Sequence, residues 1–344
     1  MNAVDEFSRT RVTLGYAAEN YGFEVVPSFA TDVTVTSFAD DVRKVRPGSL
    51  FAPTSHVDRR QLEAARDAGA YAALVPPELR SEANNIGLPL LVSSPNPVAF
   101  GKLACDINND PSSCVATFAV AGDDDDDIYA NVIRLADFLH MLGNPIGIIS
   151  AAGSSSLQRD LALEYPLGIA DLQHNLSVCV EDGAAAVVIA LNSATLQKDA
   201  LQSVNIDVLG VESEEKRKVS IVPKNPLEIP TPPEDSHSNI SSSENVNDKN
   251  ELLSDKDDEV LIKKVDVKPV VSFYSLQQRY GFYCRERSYC ITRSKESDEL
   301  AQLDDQIGTK DLQRHLSLSI AMVLAAGVRR GTIKSALRVS HELH

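Results

Sequence analysis

Long apolar runs, tryptophan and paired cysteines are all missing from this sequence of 344 residues. The longest apolar stretch, AAAVVIAL at 184–191, is far too short to cross a bilayer, so it predicts a buried strand. The five cysteines are odd in number and include no Cys-X-X-Cys pair, which favours neither a zinc site nor a disulfide framework. The acidic start MNAVDEFSRT lacks the apolar core of a secretory signal. We therefore expect a cytoplasmic protein with reduced thiols and no membrane span.

Positive charge is scarce as well. Lysine and arginine together number 33 against 49 aspartates and glutamates, which leaves a net charge of -16. A surface this acidic repels the phosphates of nucleic acids and of anionic lipids. We therefore expect neither nucleic acid nor a membrane surface as a partner.

What the sequence does contain is a regular alternation of short apolar runs and helical patterns. Val132, Leu135, Phe138, Leu139 and Leu142, for example, fall on one face of a predicted helix. Strands that alternate with helices indicate an α/β fold with largely parallel sheets. The predicted strands span 33–38, 71–76, 89–94, 116–122, 145–150 and 184–191, and the predicted helices span 59–69, 96–108, 128–142 and 169–181.

The alternation stops near residue 212. From there to about residue 268 the sequence is rich in serine, proline, asparagine and charged residues. Such a composition cannot bury enough apolar surface to offset the entropy of ordering, so we predict a disordered insertion at 212–268. Beyond it, 270–294 predicts antiparallel strands, and 315–337 predicts two helices hinged at Gly327.

A run of five aspartates interrupts the alternation at an informative place. Residues 118–131 read FAVAGDDDDDIYAN, an apolar strand, a glycine and then a helical pattern. This is the layout of a phosphate-binding loop, which should present glycines, a lysine and a hydroxyl to the phosphates. Here Asp123–Asp127 fill those positions with carboxylates.

Residues 40–75 read DDVRKVRPGSLFAPTSHVDRRQLEAARDAGAYAALV and contain a motif made of Asp41, Arg43, Pro47, Gly48, Leu50, Phe51, Asp58, Arg60, Gly69 and Ala70. This stretch resembles the N-terminal domain of the Mur ligases, and most of all the enzymes that add the third residue to the UDP-MurNAc peptide. Val42 and Arg59 depart from the motif, where the family has serine and glycine.

The same resemblance places the ATP loop of the family on residues 120–127. Gly122 is kept, but the phosphate-binding lysine falls on Asp126 and the metal-binding threonine falls on Asp127. The metal-binding glutamate and histidine of the family fall on Ala190 and Ala194. Two like charges 4 Å apart repel by about 4 kcal/mol at an effective dielectric of about 20. The resemblance therefore implies that ATP and Mg²⁺ binding are lost and that no cofactor is used.

The resemblance also implies a division into domains. A Mur ligase N-terminal-like domain would span 1–113. A degenerate, P-loop-type central domain would span 114–211 and 269–344, separated by the insertion at 212–268. The C-terminal domain of the family has no counterpart in this sequence, so we expect it to be missing.

Two groups of residues are candidate sites, and each has a simpler interpretation. Asp41, Arg43, Ser55, His56 and Asp58 match the part of the family that contacts the nucleotide sugar, although Asp58 is also a natural N-cap for the helix that follows. The aspartate run could suit a hard cation, but acidic residues also favour a helix start on their own. We favour a solvated helix start and predict no metal site.

These observations predict a pseudoenzyme, a catalytically inactive Mur ligase homologue with a binding or regulatory role in peptidoglycan precursor synthesis. A full-length Mur ligase, another cell-wall synthesis protein or the UDP-MurNAc peptide itself would be the partner. An active ATP-dependent amino acid ligase with a rebuilt site is the alternative. A decaying gene product with no retained role is a third interpretation.

Overall fold

Two sheets with mostly parallel strands organise the chain in the computed structural model. The structure describes residues 12–53, 57–212, 220–221, 272–285, 289–303 and 309–342, which belong to one compact unit. The predicted α/β class is confirmed. Within the described ranges, no helix is long and apolar enough to span a membrane.

The N-terminal part of the chain forms a five-stranded sheet with helices on both faces. Its strands are β1 (Glu24–Val26), β2 (Ser37–Ala39), β3 (Ser49–Phe51), β4 (Ala72–Val75) and β5 (Leu90–Val92), and its helices are α1 (Leu14–Tyr21), α2 (Arg59–Asp67), α3 (Ala83–Ile86) and α4 (Pro97–Ile107). The strand order is β1-β5-β4-β3-β2, and only β1 runs antiparallel to its neighbour. Phe51 packs towards α2, whereas the adjacent Leu50 packs towards α1 and α4.

The rest of the described chain forms an eight-stranded sheet. Its strands are β6 (Ala116–Ala121), β7 (Ile146–Ile149), β8 (Ser154–Ser156), β9 (Arg159–Leu161), β10 (Ala186–Ala190), β11 (Val208–Val211), β12 (Ser220–Ile221) and β13 (Tyr289–Ile291). Its helices are α5 (Pro111–Cys114), α6 (Asp125–Met141), α7 (Ile169–Glu181), α8 (Phe273–Tyr280), α9 (Lys295–Ala301), α10 (Lys310–Ala325) and α11 (Arg330–Glu342). The order is β12-β13-β11-β6-β10-β7-β8-β9, with the central strands parallel.

Both faces of this second sheet are buried. Phe118 and Val120 of β6 join a core that includes α6 and α10, whereas Ala119 and Ala121 join a core that includes α7. A strand covered on both faces needs apolar residues at every position rather than at alternate ones. This explains why β10 and residues 118–121 of β6 are uninterrupted apolar runs in the sequence.

Several predicted helices begin and end where the sequence indicates. Asp58 caps α2 in a capping box with Gln61, and Asn96 caps α4 with Pro97 in its first turn. α7 spans 169–181 as predicted. Gly327, with φ of 94°, lies between α10 and α11, which confirms the predicted hinge.

Two local predictions were wrong. Residues 273–280 form a helix instead of a strand: Ser272 and Ser275 form a capping box that starts α8, and Leu276 and Tyr280 bury one face of this helix. Strand β13 is antiparallel to β12, as predicted for this part of the chain, but it is parallel to its other neighbour β11. The predicted strand at 33–38 was placed too early: a 3₁₀ helix ends at Asp32 with Val33 as its C-cap, and β2 begins at Ser37.

The boundary of the predicted insertion also differs. Glu212 is buried, and Ser220–Ile221 pairs with β13 in the second sheet. The remainder of 212–268 lies outside the described residues. The division into domains at 1–113, 114–211 and 269–344 stays a prediction.

Candidate functional site

The carboxyl edge of the second sheet is the candidate site. The chain leaves β6 for β7, returns to place β10 next to β6, and then places β11 on the other side of β6. Strand order therefore reverses at β6. Ligands of open α/β sheets bind beside the carboxyl ends of the strands at such a point. The aspartate run begins here, two residues after β6 ends.

The first turn of α6 is capped by a carboxylate of its own chain. Asp124 Oδ1 accepts hydrogen bonds from the backbone N–H groups of Asp126 at 3.0 Å and Asp127 at 3.1 Å. A bound phosphate would use these donors at the start of a helix. In this structure they are already bonded to Asp124, which is the N-cap of α6.

The next aspartate joins α6 to the end of β10. Asn192, a buried residue, donates from Nδ2 to Asp125 Oδ1 at 2.9 Å. The Oδ1 atom of Asn192 accepts from the Thr195 backbone at 2.9 Å. Asp125 is thus fixed by a side chain that is itself held in place.

Asp127 is paired with helix α10. Arg314 Nη2 lies 2.8 Å from both carboxylate oxygens of Asp127, and His315 Nε2 lies 3.2 Å from Asp127 Oδ1. The prediction of a solvated helix start is therefore only partly right. Asp123–Asp126 are exposed, whereas Asp127 is half-buried in an ion pair.

Arg314 links Asp127 to a second carboxylate. Its Nε atom lies 3.1 Å from Glu212 Oε1, close enough for an ion pair but without hydrogen-bond alignment. The Glu212 side chain is 7% exposed, and Asn131 Nδ2 donates to its Oε2 atom at 3.3 Å. We call Asp127, Asn131, Glu212, Arg314 and His315 the edge cluster.

Burial sets the protonation preferences of the edge cluster. Desolvation raises the pKa of Glu212, and the nearby charge of Arg314 opposes that rise. Desolvation lowers the pKa of His315, although the hydrogen bond that its ring donates to the Asp127 carboxylate acts in the opposite direction. His315 is therefore neutral at pH 7, and its Nε2–H donates to Asp127, while its buried Nδ1 atom has no partner within the described residues.

The candidates of the first sheet are engaged in local contacts. Asp41 accepts from the Arg43 backbone at 2.8 Å and from Arg43 Nη2 at 2.8 Å, at the start of a short 3₁₀ helix. This pairing lowers the pKa of Asp41 to about 2. Asp58 accepts from the Gln61 backbone at 2.8 Å as the cap of α2. Ser55 and His56 lie outside the described residues.

Sequence reasoning missed Arg314 and Glu212. Arg314 is charged yet directly precedes the continuously buried residues 315–323 of α10, and Glu212 directly follows the buried strand β11. A carboxylate at the carboxyl end of a buried parallel strand is a usable signal, because this is the ligand edge of the sheet. The partner of that carboxylate could not be found from spacing, since Arg314 comes about a hundred residues later.

By its fold and by this edge, the chain is an α/β protein in which its own charged side chains occupy the carboxyl edge of the second sheet. No family model matches the chain. It is 25% identical over 186 residues to the UDP-N-acetylmuramyl-tripeptide synthetase of Limosilactobacillus reuteri, which covers 52% of this chain and 34% of that enzyme. The UDP-N-acetylmuramoyl-L-alanyl-D-glutamate--2,6-diaminopimelate ligase of Synechococcus elongatus is also 25% identical over 186 residues, covering 52% and 37% of the two chains. This chain is thus a relative of the Mur ligases that spans about a third of the length of these two enzymes.

Solved structures of Mur ligases are similar at lower identity. A structure of MurF from Acinetobacter baumannii is 9% identical, with a TM-score of 0.47 over 95% of this chain and 67% of that one. A structure of UDP-N-acetylmuramoyl-L-alanyl-D-glutamate--2,6-diaminopimelate ligase is 16% identical, with a TM-score of 0.41 over 60% and 41% of the two chains.

Proposed function

We propose that this chain is a non-catalytic relative of the Mur ligases with a binding or regulatory role in the cytoplasmic steps of peptidoglycan precursor synthesis. The main support for the proposal is that side chains of this chain already occupy the start of α6. Asp124 takes the backbone donors that a phosphate would need, and Asp127 is held by Arg314 on α10.

Electrostatics support the loss of ATP binding. A triphosphate at this edge would have to displace the Asp124 carboxylate and then lie beside the exposed carboxylates of Asp123, Asp125 and Asp126. Each pair of like unit charges 4 Å apart repels by about 4 kcal/mol at an effective dielectric of about 20. Arg314, the cation that contacts Asp127, is already shared between Asp127 and Glu212.

The absence of metal-ligand side chains at two further positions supports the same proposal. The resemblance places the metal-binding glutamate and histidine of the family on Ala190 and Ala194. A methyl group coordinates nothing, and Ala190 is fully buried at the end of β10. Phosphoryl transfer depends on positioned cations, so their loss removes most of the rate.

For the partner we favour another protein of cell-wall synthesis, such as a full-length Mur ligase, over the UDP-MurNAc peptide. The candidate nucleotide-sugar residues support this preference, because the Arg43 guanidinium is already bonded to Asp41 and the Asp58 carboxylate caps α2. A sugar nucleotide would have to compete with both contacts.

A calorimetric titration with MgATP tests the proposal. We expect no heat of binding up to millimolar nucleotide, and no amide product from UDP-MurNAc dipeptide, ATP and an amino acid. The Limosilactobacillus reuteri synthetase, run under the same conditions, is the positive control. A dissociation constant below about 100 μM for ATP, roughly -5.5 kcal/mol, would contradict the proposal.

A further inference from the structure

A groove of about 680 Å³ lies between the C-terminal half of α6 and the hairpin formed by β8 and β9. Asp137 and His140 of α6 line one wall, Leu157 of the hairpin lines the other, and Ile146 and Ile148 of β7 form the floor. We call this the α6 groove. None of the edge-cluster residues lines it, so it is a separate feature of the second sheet.

The α6 groove has an apolar floor, and two exposed apolar side chains of α6 lie next to the residues that line it. Ile148 is half-buried within it. On the solvent side of α6, Ile133 is 51% exposed and Met141 is 41% exposed. Residues 133, 137, 140 and 141 follow the spacing of one helix face, so these two apolar side chains lie at the two ends of the wall made by Asp137 and His140.

The charge around the α6 groove is negative. Asp137 and Asp160 are exposed and form no ion pair among the described residues. Asp160 lies opposite Ser155, a groove residue, in the pairing of β8 with β9. Arg159 and Asp182 also line the groove and form an ion pair with each other, so this pair adds no net charge. An apolar floor beside uncompensated carboxylates complements a ligand that carries apolar and positively charged groups together.

From this combination we propose that the α6 groove binds an amphipathic helical segment of a partner protein, with aliphatic side chains on the groove floor and lysine or arginine beside Asp137 and Asp160. An amphipathic helix that lays its apolar face into a groove is a recurring mode of recognition. A second copy of this chain is a poor occupant, because each copy carries a net charge of -16. The inference rests on the binding role proposed above and names the chemistry of the partner.

A designed peptide tests the groove directly. The probe is a fluorescent peptide of about 14 residues, about 21 Å long as a helix, with leucine at i, i+3, i+4 and i+7 and lysine elsewhere. We expect saturable binding by fluorescence anisotropy. Asp137→Lys should weaken it about ten-fold, equivalent to about 1.4 kcal/mol. Ser155→Arg, which adds a cation and bulk to the groove, should weaken it as well.

Matched controls separate the groove from general attraction to an acidic protein. Glu78→Lys makes the same change of charge at an exposed position between β4 and β5 of the first sheet, and it should leave binding within about two-fold of wild type. A shuffled peptide of the same composition without an apolar face should bind weakly. Thermal melts confirm that each variant is folded.

Three results would overturn the inference: no saturable binding by wild type, equal weakening by Asp137→Lys and Glu78→Lys, or equal binding of the shuffled peptide. Failure here is distinguishable from failure of the proposed function. Binding of ATP or ligase activity would contradict the non-catalytic role without changing the peptide result. Loss of peptide binding would leave the nucleotide titration untouched.

Discussion

The two acidic candidates of the first sheet, Asp41 and Asp58, differ from Asp125 and Asp127 at the carboxyl edge of the second sheet in how far along the chain their partners lie. Asp41 binds Arg43, two residues along the chain, and Asp58 binds Gln61, three residues along. At the second sheet, Asp125 binds a residue 67 positions away, and Asp127 binds Arg314, 187 positions away. The first set stabilises single helix starts, whereas the second connects separate elements of the sheet.

Exposure differs in the same direction. The Arg43 side chain is 82% exposed, so its ion pair is solvated and screened by salt. Arg314 is 23% exposed and Glu212 is 7% exposed. A buried charge that loses its partner is far more costly than an exposed one. Similar carboxylates should therefore respond very differently to removal of their cation.

The largest effect is expected from Arg314→Met. The substitution keeps the apolar stem but leaves Glu212 and Asp127 without their shared cation, so the free energy of unfolding should fall by about 3 kcal/mol. Urea unfolding followed by circular dichroism measures this. The triple variant Arg314→Met, Asp127→Asn and Glu212→Gln should recover most of the loss, because no uncompensated buried charge remains. A single-variant loss below about 1 kcal/mol would show that the edge cluster is not a buried network.

Removing the two helix caps should have smaller effects of similar size. Asp124→Ala and Asp58→Ala each remove an N-cap carboxylate, which costs about 1 kcal/mol. Combining each with Arg314→Met sharpens the comparison. Asp58 lies on the first sheet, so its effect should add to that of Arg314→Met within about 0.5 kcal/mol. Asp124 caps the start of α6, which Arg314 also contacts through Asp127, so the effects of Asp124→Ala and Arg314→Met on the free energy of unfolding should not add. If they add as closely as those of Asp58→Ala and Arg314→Met, the proposed contrast between the two sheets is contradicted.

The local features were predictable because short-range chemistry fixes them. Asp58 followed by Gln61, and Asn96 followed by Pro97, indicate helix starts by themselves, and the structure has both. The apolar runs of β6 and β10 indicate strands buried on both faces. The error at 270–294 came from aromatic and β-branched residues, which favour strands, whereas the Ser272 capping box and the burial of Leu276 and Tyr280 favour α8.

The edge cluster was not predictable, because tertiary contacts alone bring its members together. The resemblance aligns Asp127 with the metal-binding threonine of the Mur ligases, and its side chain was expected to be solvated. The pairing of α6 with α10 in one core brings Arg314 to it instead. Arg314 and His315 sit at the start of a helix whose apolar pattern gives no indication of which strand end it approaches. The strand–glycine–helix layout indicates where the site lies, but it does not indicate which side chains occupy that site.

The smallest effect is expected from Arg43→Ala. Asp41 keeps its hydrogen bond to the backbone of residue 43 when the side chain is truncated, so the cap of the 3₁₀ helix survives. The unfolding midpoint at pH 7 should therefore stay close to wild type, in contrast to Arg314→Met. What should change is the titration of Asp41, whose pKa of about 2 is held below its usual 3.8 chiefly by the Arg43 side chain.

In the Arg43→Ala variant the pKa of Asp41 should rise towards 3.8, which NMR titration of the carboxyl group measures. The sign follows from linkage: a lowered pKa adds stability that is complete above the unfolded pKa near 3.8 and is lost as the pH falls towards 2. Because the pair is exposed and screened by solvent, the difference in stability between wild type and Arg43→Ala should be small at pH 7 and should disappear as the pH falls towards 2. Asp41→Ala is the control, because it removes the backbone cap as well and should lower the midpoint more than Arg43→Ala does. A loss from Arg43→Ala as large as that from Arg314→Met would mean that the first-sheet pair is part of a network, and the contrast between the two sheets would fail.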